Sequence, residues 1–210
     1  MSVPVELSAG LDGHPWLAEV HAGTTGALLL LNASGHAALR RQGRRSLLTQ
    51  LQMHLASQAI NAPPHLRLLD AAPGELATAT IDRMLEAPRP DRVTTLAERE
   101  QDGCWKLELV LPLELIHFDG HFPQAPVLPG VLQVAWALAL AAPRLGTSLD
   151  CREMEALKFQ HLLHPGDHVE LTLYFDAEQI AGGRGKLHFA YHLDGAHCSS
   201  GRLLVGRAHG

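Results

Sequence analysis

The chain has 210 residues, 46% of them hydrophobic and 19% charged, with a formal net charge of −5. That length and apolar content support a packed core, in one large domain or two small ones, and exclude a disordered chain. The acidic balance argues against a nucleic-acid partner, which needs clustered cations.

The N-terminal stretch has no basic segment followed by an apolar core, so it does not read as a signal peptide. Gly26 to Asn32 predicts a short buried strand. Leu47, Leu51 and Leu55 recur at helical spacing and predict an amphipathic helix over Arg45 to Gln58. Arg40, Arg41, Arg44 and Arg45 read as a solvated basic helix start rather than as an anion site. His65 to Asp70 alternates like a strand, and Thr78 to Ala87 predicts a second, shorter helix. Ala87 to Thr95, with Pro88 and Pro90, is the linker; it divides the chain into 1–90 and 95–210, and a charged turn follows it.

Cys104 to Leu113 alternates as a strand. The longest apolar run, Val127 to Ala142, is interrupted by Pro129 and Gly130; what remains is too short to span a bilayer and reads as a buried helix. Four strand-like runs follow, Met154 to Leu163, His168 to Asp176, Gly183 to Gly195 and Ser199 to Ala208. One apolar helix followed by four strands predicts an antiparallel sheet wrapped around a central helix, in an α+β chain. Cys104, Cys151 and Cys198 are odd in number and far apart, which fits a reducing compartment, the cytoplasm, better than a disulfide framework.

The segment Gly120 to Gln133, "GHFPQAPVLPGVLQ", concentrates the chemistry. Pro126 and Pro129 stiffen a loop that leads into a helix. Gly130 places no side chain at the helix start, so the N–H groups of Gly130 and Val131 are free to hold a carbonyl oxygen, helped by the helix dipole. His121 exchanges a proton near neutral pH. His117 and His121 are four residues apart, but Asp119-Gly120 between them argues for a loop and no third ligand is evident, so no metal is expected.

This segment resembles the active-site motif of the FabA/FabZ-type 3-hydroxyacyl-ACP dehydratases, which have the hotdog fold. Lys158 to Leu173, "KFQHLLHPGDHVELTL", resembles the strands that follow in that family. The tail "PGVLQVAW" is most similar to the ApeI-like branch of aryl polyene clusters. The resemblance implies loss of water from a 3-hydroxyacyl thioester carried on the phosphopantetheine of an acyl carrier protein, with no other cofactor. It assigns His121 as the base and Phe122, Pro129, Gly130 and Val131 to substrate binding. It also implies a site shared between protomers, hence a homodimer or a heterodimer with another hotdog protein.

At one position the chain departs from the pattern. The family's carboxylic acid, fourteen residues after the histidine, falls on Ala135, and its following glutamine falls on Ala139. A positioned acid typically contributes ~10²–10⁴-fold to a step with a poor leaving group. Asp119, Glu153 or Glu155 are candidate replacement acids, and a catalytically complete partner is another source. Two rival readings stay open: a non-catalytic acyl-ACP-binding subunit that pairs with an active dehydratase, and a hotdog thioesterase.

Leu11 to Glu86 is similar to the C-terminal subdomain of the AMP-dependent synthetases and ligases in its order of elements. That family brings a lysine to the acyl adenylate. The corresponding position falls near Ala79, and the three lysines of the chain, Lys106, Lys158 and Lys186, all lie beyond this part. Adenylation is therefore not expected. The expected architecture is a small α+β module followed by a hotdog domain.

Overall fold

The structure is a computed structural model that describes residues 3–60, 65–120, 122, 125–180 and 184–207. The chain divides into two compact units, 1–91 with 112–127, and 92–111 with 128–210. The first break falls inside the linker read from the sequence. The segment 112–127, which the sequence reading kept with the later part, belongs to the first unit, because its polar groups bond to residues there, as described below.

The first unit runs α1 (Val3–Leu11), β1 (Leu17–Ala22), β2 (Gly26–Leu31), α2 (Ala33–Ser57), β3 (His65–Leu69) and α3 (Thr78–Glu86). Its sheet has the order β1-β2-β3, with β1 antiparallel to β2 and β2 parallel to β3. A parallel pair needs a crossover, and α2 is that crossover. The run Leu28-Leu29-Leu30-Leu31 serves both faces of the sheet, because successive strand residues point to opposite sides. Leu29 and Leu31 join Leu7, Leu11, Leu47, Leu51 and Leu55 in one core cluster, while Leu28 joins Ile81 and Leu85 of α3 in another.

Asn32 caps α2, its Oδ1 accepting from the Gly35 N–H at 3.0 Å. The helix is interrupted at buried Gly43, whose φ of 77° and ψ of 163° are open to glycine and to almost nothing else. The predicted helix from Arg45 is the segment after this break. The preceding turns from Ala33 lack the regular apolar spacing that marked the later part.

The second unit runs β4 (Thr94–Gln101), β5 (Cys104–Val110), α4 (Gly130–Leu145), β6 (Thr147–Phe159), β7 (His168–Ile180), β8 (Arg184–Leu193) and β9 (Ala196–Arg207). All pairs are antiparallel, in the order β4-β5-β7-β8-β9-β6. Asp102-Gly103 and Asp194-Gly195 have positive φ at both residues and close the β4-β5 and β8-β9 hairpins, as tight turns matched to strand twist require.

Where the sequence reading saw a charged turn after the linker, the structure has β4. Every residue of β4 is exposed, so no apolar alternation marked it. The helix α4 lies against the sheet through Val134, Trp136, Ala137 and Ala141, all buried. An antiparallel sheet curled about one helix is the hotdog architecture, as expected.

Candidate active site

The helix α4 starts where Pro129 fixes φ at −57° with an extended ψ of 136°. Leu132 and Gln133 donate their N–H groups back to the Pro129 carbonyl, at 3.0 and 3.3 Å. The N–H groups of Gly130 and Val131 precede the first intrahelical acceptors and carry the positive end of the helix dipole. A Cβ on Gly130 would lie 2.8 Å from the Phe159 ring. Gly130 thus sits against the half-exposed Phe159 ring, a contact that the sequence reading, which saw only room for a ligand, missed.

Gln133, the one amide on this helix, is tied into the fold. It is 4% exposed. Its Nε2 donates to the Leu128 carbonyl at 3.2 Å, and its Oε1 accepts from the Ser199 hydroxyl at 2.5 Å. The Tyr191 hydroxyl donates to the Gln133 carbonyl at 3.0 Å. Burial pushes the Tyr191 phenol far above its usual range, so it stays a protonated donor. These bonds fix the rotation of α4 on the sheet. Val131, Ala135 and Ala139, each one helical turn apart, are then exposed. The position that the resemblance aligns with the family's acid is therefore an alanine on an open helix face.

The segment before the motif is anchored within the first unit by a buried carboxylate. Glu114, with its side chain 4% exposed, accepts from Arg44 Nε at 2.8 Å and from the Leu68 N–H at 2.9 Å, and pairs with Arg89 Nε at 3.1 Å. Arg89 also donates to the Glu114 carbonyl at 3.0 Å and forms a two-pronged ion pair with Asp119. The Leu113 N–H donates to Asp70 at 2.6 Å, and the His117 ring bonds the Asp91 carbonyl at 3.0 Å. The sequence reading missed this network. Its signal was a lone glutamate in the apolar run "LPLELI", since a charge in such a place needs partners.

Of the sequence-predicted residues, His121 lies outside the described residues, with Pro123 and Gln124. Phe122 is 63% exposed with a φ of 53°, a conformation that strains a residue other than glycine. Asp119 faces Arg89, as above. Glu155, on β6, accepts from Lys186 at 3.0 Å and lies 3.5 Å from Arg202; the hydrogen bond from Lys186 holds its carboxyl below the usual range. A carboxyl held in its ionised form is a poor proton donor. Glu153 is exposed. The second unit thus brings Gly130, Val131 and Ala135 onto one helix and Glu155 onto the edge strand. Among the described residues, no group of three or more His, Cys, Asp or Glu is arranged to hold a metal ion, and no helix is long and apolar enough to cross a membrane.

Comparison with known proteins places these elements. The family model described as ApeI-like, ApeI dehydratase, matches residues 97–202. The 3-hydroxyacyl-[acyl-carrier-protein] dehydratase FabZ of Streptococcus thermophilus is 32% identical over 120 residues, 54% of this chain and 81% of that one. FabZ of Sorangium cellulosum is 31% identical over 97 residues, 42% of this chain and 61% of its own length. Among solved structures, the dehydratase heterocomplex ApeI:P from Xenorhabdus doucetiae is 29% identical, covers 55% of this chain and 99% of its own, and superposes with a TM-score of 0.48. None of these matches spans the whole of this chain. By the extent of the family match and the FabZ identity, the chain belongs to the ApeI-like dehydratases, a family of hotdog 3-hydroxyacyl-ACP dehydratase relatives of fatty acid and aryl polyene biosynthesis.

Proposed function

We propose that this chain binds a 3-hydroxyacyl or enoyl thioester carried on the phosphopantetheine of an acyl carrier protein in the cytoplasm, and that it takes part in its dehydration. His121 removes the proton next to the thioester carbonyl. The N–H groups of Gly130 and Val131 hold the carbonyl oxygen as charge develops on it. Phe122 and Pro129 border the acyl chain. The hydroxyl must leave as water, and α4 offers no acid for it.

The observation that carries this reading is the exposed Ala135, between Val131 and Ala139 on an open apolar face of α4. A second hotdog subunit seated on that face would cover it and complete the site. An acid from that subunit would serve the leaving group. Asp119 remains a candidate within the chain, where it is ion-paired with Arg89. The first unit, read as a remnant ligase tail, has none of the chain's lysines and serves as a docking module for a carrier or partner.

The open face equally favours a second reading, a binding subunit that contributes only half a site to an active partner. The two are separated by incubating the pure protein with 3-hydroxyacyl-ACP and following the thioester by mass spectrometry. Loss of water supports dehydration by this chain alone. No change, with activity appearing when a complete dehydratase is added, supports the subunit role. Release of free acid would overturn both in favour of a thioesterase.

A further inference from the structure

The first unit contains a cavity of about 560 Å³ whose lining, Asp119 apart, the dehydratase reading leaves unused. Such a volume suits a small organic molecule and exceeds what a bare ion needs. Its walls have two characters. Leu48, Leu66, Leu85 and Phe118 form an apolar side, and Arg44, Arg45, Arg67 and Arg89 form a basic one. We infer that this cavity is a binding site for an organic phosphate monoester, its phosphate on the arginines and its body against the apolar wall.

Charge selects the ligand. Four guanidinium groups face two carboxylates, Asp119 in the cavity wall and Glu114 bonded to Arg44 and Arg89. Four minus two leaves an excess of two positive charges. A monoester carries about −1.5 to −2 near neutral pH and presents three oxygens, whereas a diester or a carboxylate carries a single charge. The Arg67 guanidinium is held below its usual value chiefly by burial; Glu114 acts the other way, and Arg44 and Arg89 add smaller lowering effects.

The arginines do not all have the same freedom. Arg44 is committed to Glu114, Arg67 donates to the Met84 and Ala87 carbonyls, and Arg89 is paired with Asp119. Arg45 is exposed and forms no ion pair among the described residues. The break at Gly43 adds to the field, since a new helical segment begins beside Arg44 and Arg45 with its positive end there. Planar guanidinium groups match phosphate oxygens in two-point geometry. Arg45 is therefore the group that reaches the ligand without breaking an existing bond.

The test is calorimetric titration of the full chain with phenyl phosphate, beside inorganic phosphate and methyl phenyl phosphate. Phenyl phosphate should bind with a sub-millimolar Kd and more tightly than either control. Arg45→Ala should weaken it about fivefold or more, and Arg45→Gln should do the same if the alanine variant does not fold. Arg41→Ala removes the same charge from an exposed residue outside the cavity and should leave the affinity within about twofold. Equal losses in the Arg41 and Arg45 variants would reduce the effect to general attraction of anions and overturn the site. Inorganic phosphate binding as well as phenyl phosphate would overturn the organic part. The methyl diester stands for the phosphodiester of a carrier-tethered arm, and its tighter binding would overturn the monoester in favour of that source. No binding by any of the three up to about 10 mM would remove the proposal altogether.

Discussion

On the proposed function, Ala135 stands where the resemblance expects an acid. Its exposure means that Ala135→Glu adds a carboxyl without burying one in the protomer. The substitution should raise dehydration of 3-hydroxyacyl-ACP roughly tenfold or more, the lower part of what a general acid supplies, as read by the rate of enoyl product formation. His121→Ala in the same background should remove the gain. A folded Ala135→Glu protein no faster than the parent would show that more than the acid is missing.

Glu114 makes the opposite case, a charge whose role is structural. Glu114→Ala leaves Arg44 and Arg89 without their shared partner and should lower stability by about 3 kcal/mol, measured from the urea midpoint. Neither residue stands out by type alone. Their meaning came from comparison with a motif in one case and from burial in the other.

At the scale of elements, the interrupted α2 and the histidines of the first unit make separate predictions. Gly43 holds a conformation nearly closed to other residues, so Gly43→Ala should cost about 1–3 kcal/mol, again read from the denaturant midpoint. His14 accepts the Trp16 N–H at 3.2 Å and lies with its ring centroid 4.9 Å from that of His54. Burial, and then His54, hold its pKa below the ordinary histidine value. Burial, and then Arg40, do the same for His36, with Asp70 acting the other way.

A lowered folded pKa favours the neutral form. The corresponding stability is present above the unfolded value of about 6.5 and is lost as pH falls through the lower folded values. Thermal melts should show the first unit weakening between neutral and mildly acidic pH. His14→Gln should flatten that slope, and an unchanged slope would place the titration elsewhere. The sequence shows the elements with a buried stripe, such as Leu47, Leu51 and Leu55. It hides β4, whose residues are all exposed and whose identity as a strand comes from pairing with β5.

For the whole molecule, the open surface of the second unit points to assembly. The edge strand β6 carries exposed Leu149, Met154, Leu157 and Phe159, and α4 adds Val131, which is 75% exposed. An unpaired apolar edge invites another chain. The protein should sediment as a dimer at micromolar concentration, and Leu157→Arg with Met154→Arg should yield a folded monomer that has lost thioester processing. A wild-type monomer in that assay would count against the shared site.

The sheet wrapped around one helix was legible from the residues, and its hotdog identity from a family resemblance, because three local signals agree. The strand runs are bounded by turn residues, the apolar helix is set off by Pro129-Gly130, and the loop motif has rigid spacing. That Ala135 stands where the resemblance expects an acid was also read there, since it is a matter of position in the chain. Tertiary structure decided what depends on neighbours distant in sequence. Phe159 lies against Gly130, and Glu114 explains why 112–127 belongs with the first unit. Arg44 and Arg45 read as solvated charges in the sequence. Arg45 is exposed, as read, and also lines a cavity, while Arg44 bonds the buried Glu114, because the carboxylate and the arginines that surround them come from segments far apart in the chain.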